Sequence, residues 1–165
     1  SLNFIYKKVM KMEKYMKMAI EEAENGVKCK HGGPFGAVIV KVNQVIAKAH
    51  NTVVKENDPT CHAEINAIRL ASRTLNTFKL NDCLLFTSSE PCPMCLSAIL
   101  WAGIETVYYG CTVEDANKIG FADEFIYNYL KGKQNTNILK LKPLLRENAL
   151  DIFKMWDKQE DKIPY

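Results

Sequence analysis

Two short segments constrain this chain more than any other: His62-Ala63-Glu64 and Pro91-Cys92-Pro93-Met94-Cys95. Each stands where sheet-like or loop sequence gives way to a helical pattern, so each is expected to open a helix. Zinc takes imidazole nitrogen and thiolate sulfur in a tetrahedral set, and a catalytic site leaves one position for water. His62, Cys92 and Cys95 supply three such ligands. A fold that uses them together must bring two helix starts to one place. Helix starts carry partial positive charge and free N–H groups, which favour the thiolate forms of Cys92 and Cys95. Two thiolates balance a zinc dication, and water on catalytic zinc has a pKa near ~7. Glu64 lies two residues after His62, a spacing that does not share a helix face. It need not bind the metal. Its expected task is to take a proton from the zinc-bound water and return it to a ring nitrogen and leaving group of the substrate. Two other uses of the cysteines stay open: a closed structural zinc site with Cys61 as a fourth ligand, or a redox pair.

The surrounding pattern is that of one mixed α/β domain over residues 1–165. Met12, Tyr15, Met16, Ala19, Ile20 and Ala23 form one helical stripe, and Gly26 is expected to stop that helix. Phe35 to Val42 and Gln44 to His50 read as two strands of a tight hairpin around Asn43. Asp58-Pro59 reads as the start of a helix carrying His62, Glu64, Ile65, Ile68 and Leu70. A strand is expected over Cys83 to Thr87, a buried helix over Pro93 to Ala102, and a further apolar strand over Thr106 to Tyr109. Helices are expected near Val113 to Ile119, Asp123 to Leu130 and Asn148 to Lys158, with a strand at Ile138 to Leu141. Hairpin strands followed by alternating helices and strands imply a central mixed sheet flanked by helices.

Composition narrows the class further. Hydrophobic residues at 47% and charged residues at 25% exclude disordered and coiled-coil chains. The net charge of +3 is too slight to suggest a dedicated nucleic-acid binder. No apolar run reaches the ~18 residues of a membrane helix. Lysines break up the first segment, which leaves no apolar core for a signal peptide. A cytoplasmic protein with reduced thiols is expected, with no membrane partner.

The order His-x-Glu, then Pro-Cys-x-x-Cys, resembles the zinc-dependent nucleobase and nucleoside deaminases. Gly-Gly-Pro-Phe-Gly-Ala at Gly32 to Ala37, Asn51, Asp58-Pro59-Thr60 and the run from Cys61 to Arg69 extend the likeness over most of the chain. The stretch Asn117 to Tyr127, with Gly120-Phe121-Ala122-Asp123-Glu124, is similar to the bacterial guanine deaminases of this group. The resemblance implies a three-layer cytidine-deaminase-like fold and one zinc ion per subunit. It implies hydrolysis of guanine to xanthine and ammonia, a step of purine catabolism, by zinc-bound hydroxide with Glu64 as proton shuttle. It gives Asp123, with Glu124 as the alternative in register, an assisting role in the proton steps. It also implies a homodimer in which the segment from about 145 to 165 crosses to the partner, where Tyr165 closes the other active site.

Plainer readings stand beside these. Asp123 on its residues alone is a helix cap. Phe35 and Phe121 are core aromatics or stack on the base. Asn51 satisfies a turn or fixes the polar edges of a purine. Tyr165 is a frayed terminus or the lid. His31 and His50 have no partners at ligand spacing and read as structural or surface residues. The alternatives in function are a tRNA adenosine deaminase, a deaminase of cytosine or another amino-heterocycle, and a non-catalytic zinc-binding module. The tail from Lys140 carries six basic and five acidic residues, a net +1 that gives RNA little to hold.

Overall fold

The computed structural model describes residues 2–132 and 139–165. The chain divides into two compact units, Ser1–Ile126 and Tyr127–Tyr165.

The first unit is built on a four-stranded sheet in the order β2-β1-β3-β4. Strands β1 (Gly36–Lys41) and β2 (Gln44–His50) form an antiparallel hairpin. Its turn places Val42 and Asn43 at φ 44° and 67°. Two successive left-handed residues match the right-handed twist of the strands. Asn43 adopts this readily; a β-branched Val42 does not. Tyr15 Oη donates to the Asn43 carbonyl at 2.9 Å, which ties the turn to the first helix. Strand β3 (Cys83–Ser89) runs antiparallel to β1, and β4 (Thr106–Cys111) runs parallel to β3.

Side chains alternate across the two faces of this sheet, as the pleat requires. Val38, Val40 and Phe86 face helix α1 (Leu2–Lys28), where they pack with Tyr15 and Ala19. Ala37, Ile39, Cys83 and Leu85 face the opposite layer, α3 (Ala63–Leu75) and α4 (Pro93–Trp101). That layer meets the sheet through small residues, Ala63, Ala67 and Ala71, and through Ile99 and Ala102. On the α1 side Gly36 does the same work. A Cβ there would lie 2.0 Å from the Ala19 carbonyl oxygen. The fold is therefore the expected α/β arrangement, a mixed sheet with helices on both faces.

Several local expectations are corrected. Gly26 does not end α1, which runs on to Lys28; its missing side chain admits the His50 ring, 2.9 Å from where a Cβ would stand. Ile20 belongs to the sequence stripe but is exposed, because the packed face runs through Tyr15, Ala19 and Ala23. Asp58 caps no helix. Its Oδ1 accepts from the N–H and hydroxyl of Thr60, forming a local turn, and the helix begins at Ala63. A short helix, α2 (Val53–Glu56), precedes that turn. Helix α4 is apolar all round, yet Leu96, Leu100 and Trp101 are exposed. Apolar composition says that a helix can be buried, not which of its faces is covered. Edge strand β4 is exposed along most of its length for the same reason.

Helix α5 (Val113–Lys118) opens with a reciprocal cap between Thr112 and Asp115, and α6 (Glu124–Leu130) follows. In the second unit, α7 (Arg146–Asp157) carries none of its residues buried. Of the strand expected at Ile138 to Leu141, Ile138 lies outside the described residues, and Leu139 to Leu141 form no strand.

Phe86 carries much of the α1 interface. It is fully buried, 5.3 Å from the Tyr15 ring and 5.0 Å from the Tyr108 ring, centre to centre. Phe86→Ala should cost about 3–5 kcal/mol of stability. Thermal unfolding followed by circular dichroism should show a lowered Tm; an unchanged Tm would mean that α1 does not depend on this contact.

Candidate active site

His62 is the N-cap residue of α3, and Cys92 is the N-cap residue of α4. Both have extended backbone, with ψ of 157° and 168°, so each side chain turns back across its own helix start. Pro93 follows Cys92 at the first helical position, where a missing N–H costs nothing. Cys95 lies one turn on, and its N–H reaches Cys92 Sγ at 3.5 Å. Strand β3 ends at Ser89 and delivers the chain to Pro91-Cys92. The C-terminal end of β3 and the two helix starts thus meet.

His62 Nδ1 lies 3.5 Å from Cys92 Sγ and 3.5 Å from Cys95 Sγ. Zinc bonds of about 2.0–2.1 Å to nitrogen and 2.3 Å to sulfur, set tetrahedrally, separate nitrogen and sulfur by about 3.5 Å. The three donors therefore fit a zinc ion, with a fourth position left over. The two thiols are shifted in opposite directions. Cys92 accepts a hydrogen bond from the Cys95 thiol and is pushed down to about 4; burial opposes this, and His62 and the Cys95 N–H add to it. Cys95 is pushed up, as donor in that pair and by its burial. Among the described residues, Cys61 is not part of this donor group; its sulfur meets Arg69 Nη1 at 3.7 Å.

Glu64 sits in the first turn of α3 and is buried. Burial pushes its carboxyl above the ordinary carboxylate range. Thr87 Oγ1 lies 3.2 Å from Glu64 Oε1, and Cys95 Sγ lies 3.4 Å from Oε2. One carboxyl oxygen is thus anchored to the sheet and the other is turned toward the metal ligands. Glu64 clears the helix face of His62 because an N-cap residue lies outside the helical repeat.

The site opens into a cavity of about 500 Å³. His62, Glu64 and Cys92 line it together with Phe35, Asn51, Phe121 and Asp123. Phe35 and Phe121 meet edge to face, 4.9 Å between ring centres. Asn51 is buried, and its Oδ1 accepts from the Val53 N–H at 3.1 Å. Asp123 stands directly before α6 and beside the cavity. Its carbonyl accepts from the Ile126 N–H at the start of α6, and its side chain lines the cavity. Burial pushes the Asp123 carboxyl up, as does negative charge on Cys92; His62 acts the other way. Glu124 begins α6, is exposed and is not part of the lining. Tyr165 lies in the second unit and is exposed.

Sequence reasoning missed Thr87 and Glu90. Thr87 could have been found from strand alternation, since it follows Leu85 on the α3 side of β3. Glu90 stands directly before Pro91-Cys92 and lines the cavity, and its Oε2 accepts from the Val113 N–H at 3.1 Å. It joins the metal-bearing turn to the start of α5.

A family model for the cytidine and deoxycytidylate deaminase zinc-binding region matches residues 9–111. The chain is 42% identical to the guanine deaminase of Bacillus subtilis, over 94% of this chain and the whole of that protein. The X-ray structure of guanine deaminase from Bacillus subtilis superposes with a TM-score of 0.87 at 42% identity, covering 93% of this chain and 98% of that one. A tRNA-specific adenosine deaminase of Aquifex aeolicus is 44% identical, over 61% of this chain and 66% of its own. The family match takes in β1 to β4 and both helix starts, and the chain belongs to the cytidine and deoxycytidylate deaminase zinc-binding family.

Proposed function

We propose that this chain hydrolyses guanine to xanthine and ammonia in the cavity beside His62, Cys92 and Cys95. The charge of that cavity is the strongest support. Glu64, Glu90 and Asp123 line it, and no lysine or arginine does among the described residues. Guanine offers several N–H donors and no negative charge. A phosphorylated nucleoside or an RNA strand would bring anionic phosphate to a wall that has nothing to neutralise it. Two aromatic rings and a buried amide suit a planar base with polar edges. The likeness to a guanine deaminase, 42% identical over 94% of this chain, points the same way; tRNA-specific adenosine deaminases match up to 88% of it, there at 32% identity.

The residues divide the work as follows. His62, Cys92 and Cys95 would hold zinc, which supplies Lewis-acid activation of a water molecule. Glu64 takes one proton from the water and passes it to the purine ring nitrogen N3. The raised affinity of the buried carboxyl for a proton suits it to both halves of that transfer. The water oxygen adds to the amino-bearing carbon C2. Asp123 carries the remaining hydroxyl proton to the amino group, which leaves as ammonia, and a carbonyl remains at C2. Thr87 holds Glu64 in place through the transfer. Phe35 and Phe121, already in contact edge to face, offer the ring an apolar wall, and Asn51 fixes its polar rim. A base that leaves these buried groups unpaired is rejected.

The working protein is read as a cytoplasmic homodimer. The thiols suit a reducing compartment. Helix α7 exposes Ile152, Phe153, Met155 and Trp156, apolar surface of the kind a partner subunit covers. An exchanged tail would bring Tyr165 to the partner's cavity.

Ammonia release by the zinc-loaded protein should be seen with guanine and not with adenine, cytosine or an anticodon stem-loop RNA. Turnover of the RNA alone would replace this reading with a tRNA adenosine deaminase. Glu64→Gln should keep one zinc per subunit and lower kcat by roughly 10²–10⁴-fold, whereas Cys92→Ala should lose the metal; zinc content by atomic absorption separates the two. Asp123→Asn should slow guanine turnover with zinc retained, and an unslowed enzyme would leave Asp123 as a cap. For the exchanged tail, Glu64→Gln subunits are mixed equally with subunits lacking residues 163–165. Recovery of about a quarter of wild-type activity is expected from random pairing, and no recovery would rule the exchange out.

A further inference from the structure

Glu22, His50 and His31 form a hydrogen-bonded chain that the metal site does not use. Glu22 Oε2 lies 2.9 Å from His50 Nδ1, and His50 Nε2 lies 2.8 Å from His31 Nδ1. A carboxylate only accepts, so His50 carries its proton on Nδ1. In the neutral ring Nε2 is then the acceptor, and His31 Nδ1 donates to it. The two rings meet end to end, 5.1 Å between centres and 22° between planes. Gly26 backs the His50 ring, leaving it no room to swing toward α1. The chain begins on α1, crosses the end of β2 and reaches the loop after α1.

Each histidine precedes a residue of the cavity wall. Gly32 follows His31, Asn51 follows His50, and both wall residues line the cavity. Gly32 and Asn51 are pressed together; a Cβ at Gly32 would lie 2.1 Å from Asn51 Oδ1. Further ties run through the same two histidines. The His31 carbonyl accepts from the N–H groups of Val54 and Lys55, each at 3.0 Å, and the His50 carbonyl accepts from Asn66 Nδ2 at 3.0 Å. Asn51 Oδ1 is committed to Val53, so Nδ2 is the donor its amide offers a ligand.

We propose that Glu22, His50 and His31 are positioning residues that hold Asn51 and Gly32 at the spacing a planar purine requires. This rests on the reading of the cavity as a guanine site. None of the three lines the cavity, so their effect falls on substrate binding and leaves the proton transfers alone. Substrate and transition state would lose the same contact, which raises KM and spares kcat.

The test uses the zinc-loaded protein, labelled with ¹⁵N, and the variants His31→Leu and His31→Gln. Leucine removes the donor to His50, and glutamine keeps one. His31→Leu should shift or broaden the Asn51 side-chain amide resonance and raise KM for guanine roughly tenfold, with kcat within about twofold and zinc content unchanged. His31→Gln should return KM close to the wild-type value. An unmoved Asn51 amide in His31→Leu, or a kcat that falls along with zinc content, would overturn the proposal. Should His31→Leu fail to fold, Glu22→Ala reads the same amide from a helix-favouring change; an unmoved amide there is equally fatal. If wild-type protein shows no guanine turnover, the assignment of substrate fails, while the Asn51 resonance still decides positioning.

Discussion

The meeting of two helix starts holds this molecule's chemistry together. A helix start presents unpaired N–H groups and partial positive charge, and such ends repel one another unless negative charge lies between them. Here Cys92 supplies it. Its thiol is driven down to about 4 by hydrogen bonds from Cys95 and His62. The same sulfur that caps α4 is thus a prepared metal ligand. Structural capping and metal binding use one group, so stability and function share a cause at this point.

Close packing brings the two helices to that meeting. Helix α3 lies on the sheet through Ala63, Ala67 and Ala71, which hold it near the strands. Short side chains bring the first turn of α3 close enough for Thr87, on β3, to reach Glu64. Larger residues at those positions would lift the helix and break the anchor on the proton shuttle. Gly36 and Ala19 serve α1 in the same way on the other face. Through Glu22, α1 then acts on the cavity wall from behind the sheet.

The cavity itself is a study in matched charge. Its carboxylates sit close to a donor set that carries a dication in this family. Glu64 and Asp123 both line this poorly solvated space. Burial raises both of them. A carboxyl whose affinity for protons is raised by burial suits a reaction that must both give and take protons at one carbon. Asn51 and Gly32 form one wall of the cavity, and His50 and His31 stand directly before them in the chain.

Much of this was legible in the residues themselves. Ligand types and spacing identify His62, Cys92 and Cys95, and alternating patterns mark the hairpin and the sheet, because metal preference and strand pleat are local properties. The sequence also carries the resemblance that brings Asn51, Phe35, Phe121 and Asp123 forward, though their convergence on one cavity is a matter of tertiary distance. Local pattern failed where a contact from elsewhere overrode it. Gly26 reads as a stop until His50 fills the space beside it, and Asp58 reads as a cap until Thr60 takes its oxygen. His31 and His50 read only as structural or surface residues without partners at ligand spacing, because their bond joins positions 19 apart in sequence, and Glu22 completes the chain from another element. What the sequence determined alone was the chemistry available and the order of the elements. Only the folded structure decided which faces are covered, which acids are buried and which polar groups find one another, since burial and hydrogen bonding depend on distances that no local pattern contains.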